Sequence, residues 1–280
     1  MASKTKPRPF VKMYATGNDF ILLDALGWTL AVPQKTAKAL LNRPFGIGGD
    51  QLLLLTKSRR KDTEFKAQFF NPDGGEAEMC GNGIRAIAKY IFDNNLSRKK
   101  IIPFETKGGM RTVQQRGKHY VVNMGEPAVK GKEIGINLNG RVINRPLKME
   151  GREFRITCCG LGNPHCVIFI ERPKEFPVIK YGPMIETYHA FPRRINVEFA
   201  EVLSNTEIDM RVWERGTGET FGCGTGACAT VIAAVLNGLT DREVSVNMPG
   251  GKVNVTWDRT SNEVTLAGPA QQLFSGTVEI

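Results

Sequence analysis

Residues 213–229 read W-E-R-G-T-G-E-T-F-G-C-G-T-G-A-C-A. The pattern predicts a strand that ends at Trp213, a turn rich in glycine and threonine, and a helix of small residues that begins just after Cys223. Because a helix N-terminus carries a partial positive charge, we expect the pKa of this thiol to be lowered and an anionic ligand to be held beside it. Taken alone, the motif favours a buried structural cysteine next to a glycine turn.

The motif also occurs earlier in the chain, in residues 71–86, which read N-P-D-G-G-E-A-E-M-C-G-N-G-I-R-A. Cys80 and Cys223 lie 143 positions apart, and at that offset Asn71 falls on Glu214. Matches spread over the chain indicate an internal duplication with one such cysteine per copy, so we expect two thiols that face each other across a pseudo-two-fold axis. The pairs at or near this offset are Gly75/Gly218, Glu76/Glu219, Gly81/Gly224, Gly83/Gly226, Ala86/Ala229, Asn18/Asn163 and Gln51/Asn196.

The composition is that of an ordinary globular protein. The chain has 280 residues, 41% of them apolar and 24% charged, which favours two domains. No apolar run is long enough to span a bilayer, so no membrane association is expected. Residues 1–10 are basic and lack an apolar signal core, and we expect a frayed leader and no export.

The net charge of +10 raises the question of a nucleic-acid partner. The basic clusters, at residues 57–61, 98–100 and 193–194, are scattered between predicted elements and have no aromatic-rich segment beside them. We therefore interpret them as solvated surface, with attraction of an anionic metabolite as a secondary effect, and expect no nucleic-acid partner.

The six cysteines favour a reducing compartment. The chain is large, has no signal core and carries cysteines beside glycine turns, which predicts free thiols and a cytoplasmic location. It contains no CxxC pair, and its three histidines show no ligand spacing with the cysteines, so no metal site is expected.

Short strands dominate the predicted elements, with one long helix per copy, at residues 81–94 and 224–237. The second helix is apolar nearly all round and should be central and buried. This pattern predicts the α+β class. Turns are expected at residues 15–18 and 162–165, and a loop-rich passage at residues 125–144. The first domain is then residues 1–124 plus 268–280, whose tail returns as a strand, and the second is residues 125–267.

Four motifs together resemble the diaminopimelate epimerase family over almost the whole chain: G-N-D-F at 17–20, N-x-D-G-x-E-A-x-M-C-G-N-G-x-R at 71–85, G-N-P-H at 162–165 and E-R-G-x-G-E-T-x-x-C-G-T-G at 214–226. The resemblance implies two similar domains, each a curved, mostly antiparallel sheet around a central helix, with the site in the cleft between them. It also implies a cytoplasmic homodimer without pyridoxal phosphate or metal that makes meso-diaminopimelate.

The resemblance assigns roles to individual residues. Cys80 and Cys223 would be the acid/base pair, and His165 and Glu214 would support the reacting centre. The sequence departs from the family pattern at Phe221-Gly222 and at residues 157–159. The residues that would bind diaminopimelate, in two cases through backbone N–H pairs, are Asn18, Gln51, Asn71, Gly81, Asn82, Asn163, Asn196, Glu214, Arg215, Gly224 and Thr225.

The chemistry of the residues agrees, because inverting a stereocentre by deprotonation needs a base on one face and an acid on the other. Other interpretations stay open. The asparagines can each simply hold a turn, Arg215 can form a surface ion pair, and His165 can be structural. A proline or hydroxyproline racemase-like enzyme uses the same two-thiol logic, and a thiol redox or ligand-binding protein without turnover is a further alternative.

Overall fold

The computed structural model describes residues 6–280, which divide into two compact units. Unit 1 comprises the chain up to Val122 together with Gly268–Ile280, and unit 2 comprises Asn123–Ala267. The expected N-terminal leader falls partly on residues 1–5, which lie outside the described residues, whereas the chain is already in a strand at Pro7. None of the described helices is long and apolar enough to cross a membrane.

The described part of the chain forms mostly strands, with a few helices between them. In chain order the elements are β1 (Pro7–Ala15), β2 (Asn18–Asp24), α1 (Pro33–Leu41), β3 (Gln51–Lys57), β4 (Phe65–Phe70), β5 (Glu76–Ala77), α2 (Gly81–Asp93), β6 (Ile101–Thr106), β7 (Gly109–Arg116), β8 (His119–Gly125), α3 (Gly131–Ile134), β9 (Val142–Met149), β10 (Arg152–Gly160), β11 (Pro164–Phe169), α4 (Val178–Glu186), β12 (Asn196–Ser204), β13 (Glu207–Glu214), β14 (Gly218–Thr220), α5 (Gly224–Leu236), β15 (Glu243–Met248), β16 (Gly251–Trp257), β17 (Val264–Gly268) and β18 (Gln271–Glu279).

The strand ladders of the two units follow the same plan. In unit 1 the order is β18-β1-β2-β3-β4-β6-β7-β8, parallel at β2/β3 and β4/β6 and antiparallel elsewhere. In unit 2 the order is β9-β10-β11-β12-β13-β15-β16-β17, parallel at β11/β12 and β13/β15. The C-terminal strand β18 thus holds in unit 1 the place that β9 holds in unit 2. The predicted α+β fold with an internal duplication is confirmed.

Each unit packs one long helix against its sheet. In α2 the residues Ile84, Ile87, Ala88 and Ile91 have no exposed surface, as expected for an apolar face at helical spacing. In α5 the helix is buried along its first eleven residues, so its small side chains permit close packing on all sides. Both helices begin and end within one residue of the sequence prediction.

Several local expectations were wrong. The passage expected to be loop-rich contains α3 and the start of β9, and the turn expected at residues 162–165 ends earlier, because Pro164 and His165 already belong to β11. Parallel pairing of His165 with Asn196 draws this segment into the ladder. Asn18 is the first residue of β2 and is half-buried, although the sequence placed it in a turn at residues 15–18.

Candidate active site

Both singled-out cysteines cap a helix in the same way. Cys80 precedes α2 with φ −136° and ψ 111°, and Cys223 precedes α5 with φ −129° and ψ 115°, so both have extended backbone. Each sulfur accepts a hydrogen bond from the backbone N–H three residues on, at 3.3 Å from Gly83 and 3.4 Å from Gly226. The thiols therefore occupy the position that serine or aspartate usually takes at a helix start.

The glycines in the first turns are needed for close packing. A Cβ on Gly83 would lie 2.9 Å from Leu53 Cδ2, and a Cβ on Gly226 would lie 2.8 Å from Glu198 Oε1. Real Cβ atoms do not approach other atoms so closely, so a side chain at either position displaces the helix start that carries the thiol.

In unit 1 a polar chain runs along the start of α2. Asn82 Nδ2 donates to Asn18 Oδ1 at 2.6 Å, and Asn18 Nδ2 donates to Asp50 Oδ2 at 3.2 Å. Arg85, which has no exposed surface, donates to Asn82 Oδ1 at 2.7 Å and to the carbonyl oxygen of Gly81 at 3.1 Å. The structure thus brings Asn18, Asn82 and the first turn after Cys80 together.

Gln51 and Asn71 form a second polar pair in unit 1. Gln51 Nε2 donates to Asn71 Oδ1 at 2.8 Å, from the first residue of β3 to the residue after β4. The carbonyl oxygen of the Gln51 side chain is buried and has no hydrogen-bond partner among the described residues. A buried acceptor without a partner is costly, and a donor group on a ligand would remove that cost.

Sequence reasoning missed the ion network behind Asn18. Lys12, which is buried, donates to Asp19 Oδ2 at 2.6 Å and to the carbonyl oxygen of Gly48. Arg43 bridges Asp19 at 2.7 Å and Asp50 at 2.8 Å. Burial opposes ionisation of Asp19, but hydrogen bonds and charge from Arg43 and Lys12 outweigh it and lower its pKa to about 2. The network fixes Asp50, which in turn holds Asn18.

In unit 2 two groups contact the Cys223 thiol from different elements. Thr225 Oγ1 lies 3.4 Å from the sulfur, and the carboxyl group of Glu214 hydrogen-bonds with the thiol. Glu214 also accepts from Thr220 Oγ1 at 2.5 Å, across the β13/β14 turn. Burial raises the pKa of Glu214, which the bonds from Thr220 and Cys223 only partly offset.

The expectation of a lowered thiol pKa is wrong for Cys223. Burial, followed by the nearby carboxyl groups of Glu214 and Glu198, raises the pKa of this thiol well above its ordinary range. Hydrogen bonds from Thr225 and from the Gly226 N–H act in the opposite direction but are smaller. The positive field of the helix N-terminus favours the thiolate. Desolvation of the sulfur and the charge of two neighbouring carboxyl groups oppose it more strongly, so the thiol stays neutral.

His165 belongs to a buried polar cluster. Its Nδ1 lies 2.7 Å from Glu198 Oε1, its Nε2 lies 3.1 Å from Asn163 Oδ1, and Asn163 Nδ2 donates to Thr225 Oγ1 at 3.2 Å. Neither His165 nor Glu198 has any exposed surface. Glu198 was missed from the sequence, although a charged residue inside N-V-E-F-A was a signal.

Asn196 and Arg215 meet at the end of β13. Asn196 donates through Nδ2 to the carbonyl oxygen of Pro164 at 2.9 Å and accepts through Oδ1 from the Arg215 N–H at 2.9 Å. Glu186 supports the same turn by accepting from the Gly216 N–H at 2.9 Å. The Arg215 guanidinium donates to the Arg193 carbonyl oxygen at 3.4 Å, and no carboxylate of residues 6–280 forms an ion pair with it.

A family model described as diaminopimelate epimerase matches two segments of the chain, residues 10–130 and residues 157–273. The chain belongs to the diaminopimelate epimerase family. It is 43% identical over 277 residues to a diaminopimelate epimerase of Acetivibrio thermocellus, covering 97% of this chain and 98% of that protein. It is 44% identical over 275 residues to one of Pelotomaculum thermopropionicum, covering 95% and 97%.

Members of the diaminopimelate epimerase family thus cover nearly the whole chain, and solved structures add the fold. The chain resembles a hydroxyproline epimerase from Agrobacterium vitis with a TM-score of 0.74 and 12% identity, over 99% of this chain and 93% of that one. It resembles a phenazine biosynthesis protein of the PhzF family from Bacillus anthracis with a TM-score of 0.72 and 18% identity, over 98% and 100%. At these identities the likeness shows a shared fold only.

Proposed function

We propose that this protein interconverts LL- and meso-diaminopimelate with Cys80 and Cys223 as its acid/base pair and without a cofactor. The observation that carries the proposal is the equivalent placement of the two thiols, each at the N-cap of the long helix of its unit. Membership of the family supplies the substrate. In bacteria and plants this step belongs to the synthesis of lysine and peptidoglycan precursors.

The proton balance of the proposed reaction is simple. One cysteine, as thiolate, takes the α-hydrogen as a proton, and its electron pair stays on the α-carbon. The other cysteine, as thiol, delivers its own proton to the opposite face of that carbon and becomes the thiolate. The stereocentre is inverted and the two cysteines exchange protonation states. The raised pKa of Cys223 supports its being the neutral thiol before substrate binds.

The carbanion needs donors aimed at the α-carboxylate, where charge develops. We propose the backbone N–H groups of Gly81-Asn82 and Gly224-Thr225 for this role, since the first turn of a helix leaves such groups without intrahelical partners. Cys80 and Cys223 each use one N–H further along, from Gly83 and Gly226, which leaves the earlier ones to the ligand.

The remaining polar residues are proposed to bind the amino and carboxyl groups of the substrate. For Gln51 and Asn71 the support is the carbonyl oxygen of the Gln51 side chain, which has no hydrogen-bond partner within residues 6–280 and suits an ammonium donor. For Arg215 it is a guanidinium without a carboxylate partner in the described chain, which suits a two-point contact with the distal carboxylate. Asn18, Asn163, Asn196 and Glu214 are proposed to contact the substrate as well, from positions that their hydrogen bonds to Asn82, Thr225, the Arg215 N–H and Cys223 fix.

We further propose a cytoplasmic homodimer. No disulfide joins the six cysteines in the described part of the chain, which supports a reducing compartment. Strand β18 pairs with β1, yet residues 271–275 are exposed, and Leu273 and Phe274 expose about half of their surface. An exposed strand at the end of a ladder, with two exposed apolar side chains, suits pairing with a second copy. Light scattering on wild-type protein and on L273K/F274K tests this, and a monomeric wild type refutes it.

The function is tested by incubating the purified protein with LL-diaminopimelate, without pyridoxal phosphate, and measuring meso product by chiral chromatography. We expect conversion by the wild type and by the control Cys228→Ala, which removes a buried thiol from the same helix as Cys223. We expect none by Cys80→Ala or Cys223→Ala. Conversion of proline or hydroxyproline in place of diaminopimelate would favour the racemase-like alternative, and no turnover of any of them would favour a binding protein.

A further inference from the structure

The two units differ at a pair of buried positions beneath the helices that carry Cys80 and Cys223. In the parallel ladders, Phe20 is paired with Gln51 in unit 1 as His165 is paired with Asn196 in unit 2. Two residues further along the second strand, unit 1 has Leu53 and unit 2 has Glu198. Unit 1 therefore places two apolar side chains where unit 2 places a histidine and a glutamate, and all four have no exposed surface.

The equivalence also holds for packing. Leu53 is the side chain nearest to a Cβ built on Gly83, and Glu198 is the one nearest to a Cβ built on Gly226. Both glycines are three residues beyond their capping cysteine. Unit 1 demonstrates that an apolar pair satisfies this architecture, so the fold does not require His165 and Glu198.

Burying His165 and Glu198 costs folding free energy. A buried carboxyl group loses its hydration, and Glu198 Oε2 has no hydrogen-bond partner among residues 6–280. Replacing such a pair with well-packed apolar residues is often neutral or stabilising. A buried polar pair that the fold does not need, placed beside a reacting thiol, points to a role in the reaction.

The geometry connects the pair to the thiol. With Glu198 in its neutral form, which burial favours by raising its pKa, its O–H donates to Nδ1, so the neutral ring carries its hydrogen at Nε2 and donates it to Asn163 Oδ1. Asn163 Nδ2 then donates to Thr225 Oγ1, which leaves the hydroxyl hydrogen of Thr225 to point at the Cys223 sulfur. Each donor in this chain is fixed by the one before it.

We propose that Glu198 is a positioning residue that acts through His165 and Asn163 to aim the Thr225 hydroxyl at the Cys223 sulfur. The proposal rests on the proposed function, in which Cys223 exchanges a proton with the substrate. Glu198 does not touch the substrate in this account. It selects which nitrogen of His165 carries the proton. The hydrogen bond that Thr225 then donates stabilises the thiolate that Cys223 becomes after giving its proton away, against the opposing effect of the nearby carboxyl groups.

The direct test is a long-range 15N–1H spectrum of the full-length protein labelled with 15N-histidine. The chain has three histidines, and His119 and His189 are exposed, so His165→Phe identifies the buried ring. We expect His165 to carry a fixed proton at Nε2 in the wild type and in the control Glu201→Gln, which removes a carboxylate from the same strand. In Glu198→Leu we expect the fixed Nε2–H pattern to be lost.

Kinetics supply the second readout. We expect Glu198→Leu to lower kcat by about tenfold or more with KM changed by less than about threefold, because the error lies in proton transfer. The double variant H165F/E198L, which copies the unit 1 pair, should unfold at a Tm no lower than that of the wild type and have a similarly low kcat. Glu201→Gln should match the wild type.

The proposal is overturned if Glu198→Leu keeps kcat within about twofold of the wild type, or if its His165 spectrum is unchanged. It is also overturned if the double variant loses its Tm in proportion to its activity, because the pair is then structural. A wild type without epimerase activity refutes the proposed function instead, and the spectrum still tests whether Glu198 sets the proton position on His165.

Discussion

The hydroxyl group of Thr225 offers the sharpest single perturbation of the Cys223 side of the site. Thr225→Val keeps the shape of the side chain but removes the oxygen that lies 3.4 Å from the sulfur and accepts from Asn163 at 3.2 Å. Each neutral hydrogen bond contributes about 1 kcal/mol to stability, so the protein should lose roughly 1 to 2 kcal/mol. A bond to a thiolate is worth about 1.5 to 3 kcal/mol, which predicts a fall in kcat of roughly tenfold to a hundredfold.

The chain contains a matched control on the same helix. Thr230 is fully buried in α5, and its hydroxyl donates to the sulfur of Met210 at 3.1 Å. Thr230→Val should therefore cost similar stability in urea unfolding and leave kcat and KM for diaminopimelate unchanged. If Thr225→Val loses no more activity than Thr230→Val, the hydroxyl does not act on Cys223 and the reasoning is refuted.

Three further predictions concern other side chains. Arg215→Lys should raise KM for diaminopimelate by about tenfold, because an ammonium group cannot make a planar two-point contact with a carboxylate. The exposed control Arg172→Lys should leave KM unchanged, and equal KM values for the two variants would mean that Arg215 does not bind the substrate. Glu214→Gln should shift the pH dependence of Cys223 alkylation to lower pH, because this carboxyl group raises the pKa of the thiol, and should also reduce kcat. Alkylation is followed by mass spectrometry, and an unchanged pH dependence would contradict the prediction. Asp19→Asn should cost roughly 1 to 2 kcal/mol at pH 7 by urea unfolding, because the pKa of Asp19 is lowered from 3.8 to about 2 on folding and solvent screens part of the interaction at this partly exposed group. The difference should vanish as the pH falls from about 4 towards 2, and a pH-independent difference would refute the assignment.

The duplication could be predicted from the sequence because it depends on glycines at sites where a helix packs closely against its sheet. Gly83 and Gly226 recur at a fixed offset since a Cβ at either would collide with the sheet below the helix. An apolar face at helical spacing then located α2, and a run of small and apolar residues located α5. The C-terminal strand β18 was also expected, because the second copy ends before it.

Features that depend on strand register could not be predicted from the sequence. Glu198 reaches His165 only because β11 and β12 are parallel neighbours, although the two residues are 33 positions apart. The network of Lys12, Asp19 and Asp50 likewise joins β1, β2 and the loop before β3. Strand β9 was not predicted, and its first residues lie in the passage that was expected to be loop-rich. The strand contains Pro146, which the end of a ladder tolerates.

The pKa of Cys223 illustrates a different limit. The sequence reveals the helix N-terminus and its positive field, which favours a thiolate. Burial and the carboxyl groups of Glu214 and Glu198 come from tertiary packing, and they outweigh the field. A local motif therefore predicts the position of the thiol but not its protonation state.

The central claim is that two cysteines work on opposite faces of one carbon, and deuterium labelling tests it most directly. In heavy water the thiol that donates carries deuterium, while the abstracted hydrogen stays on the other cysteine. A mass spectrum of both epimers at low conversion should show α-deuterium in the newly formed epimer and almost none in the recovered starting epimer. Deuterium in both epimers to the same extent would contradict the two-thiol mechanism assigned to Cys80 and Cys223.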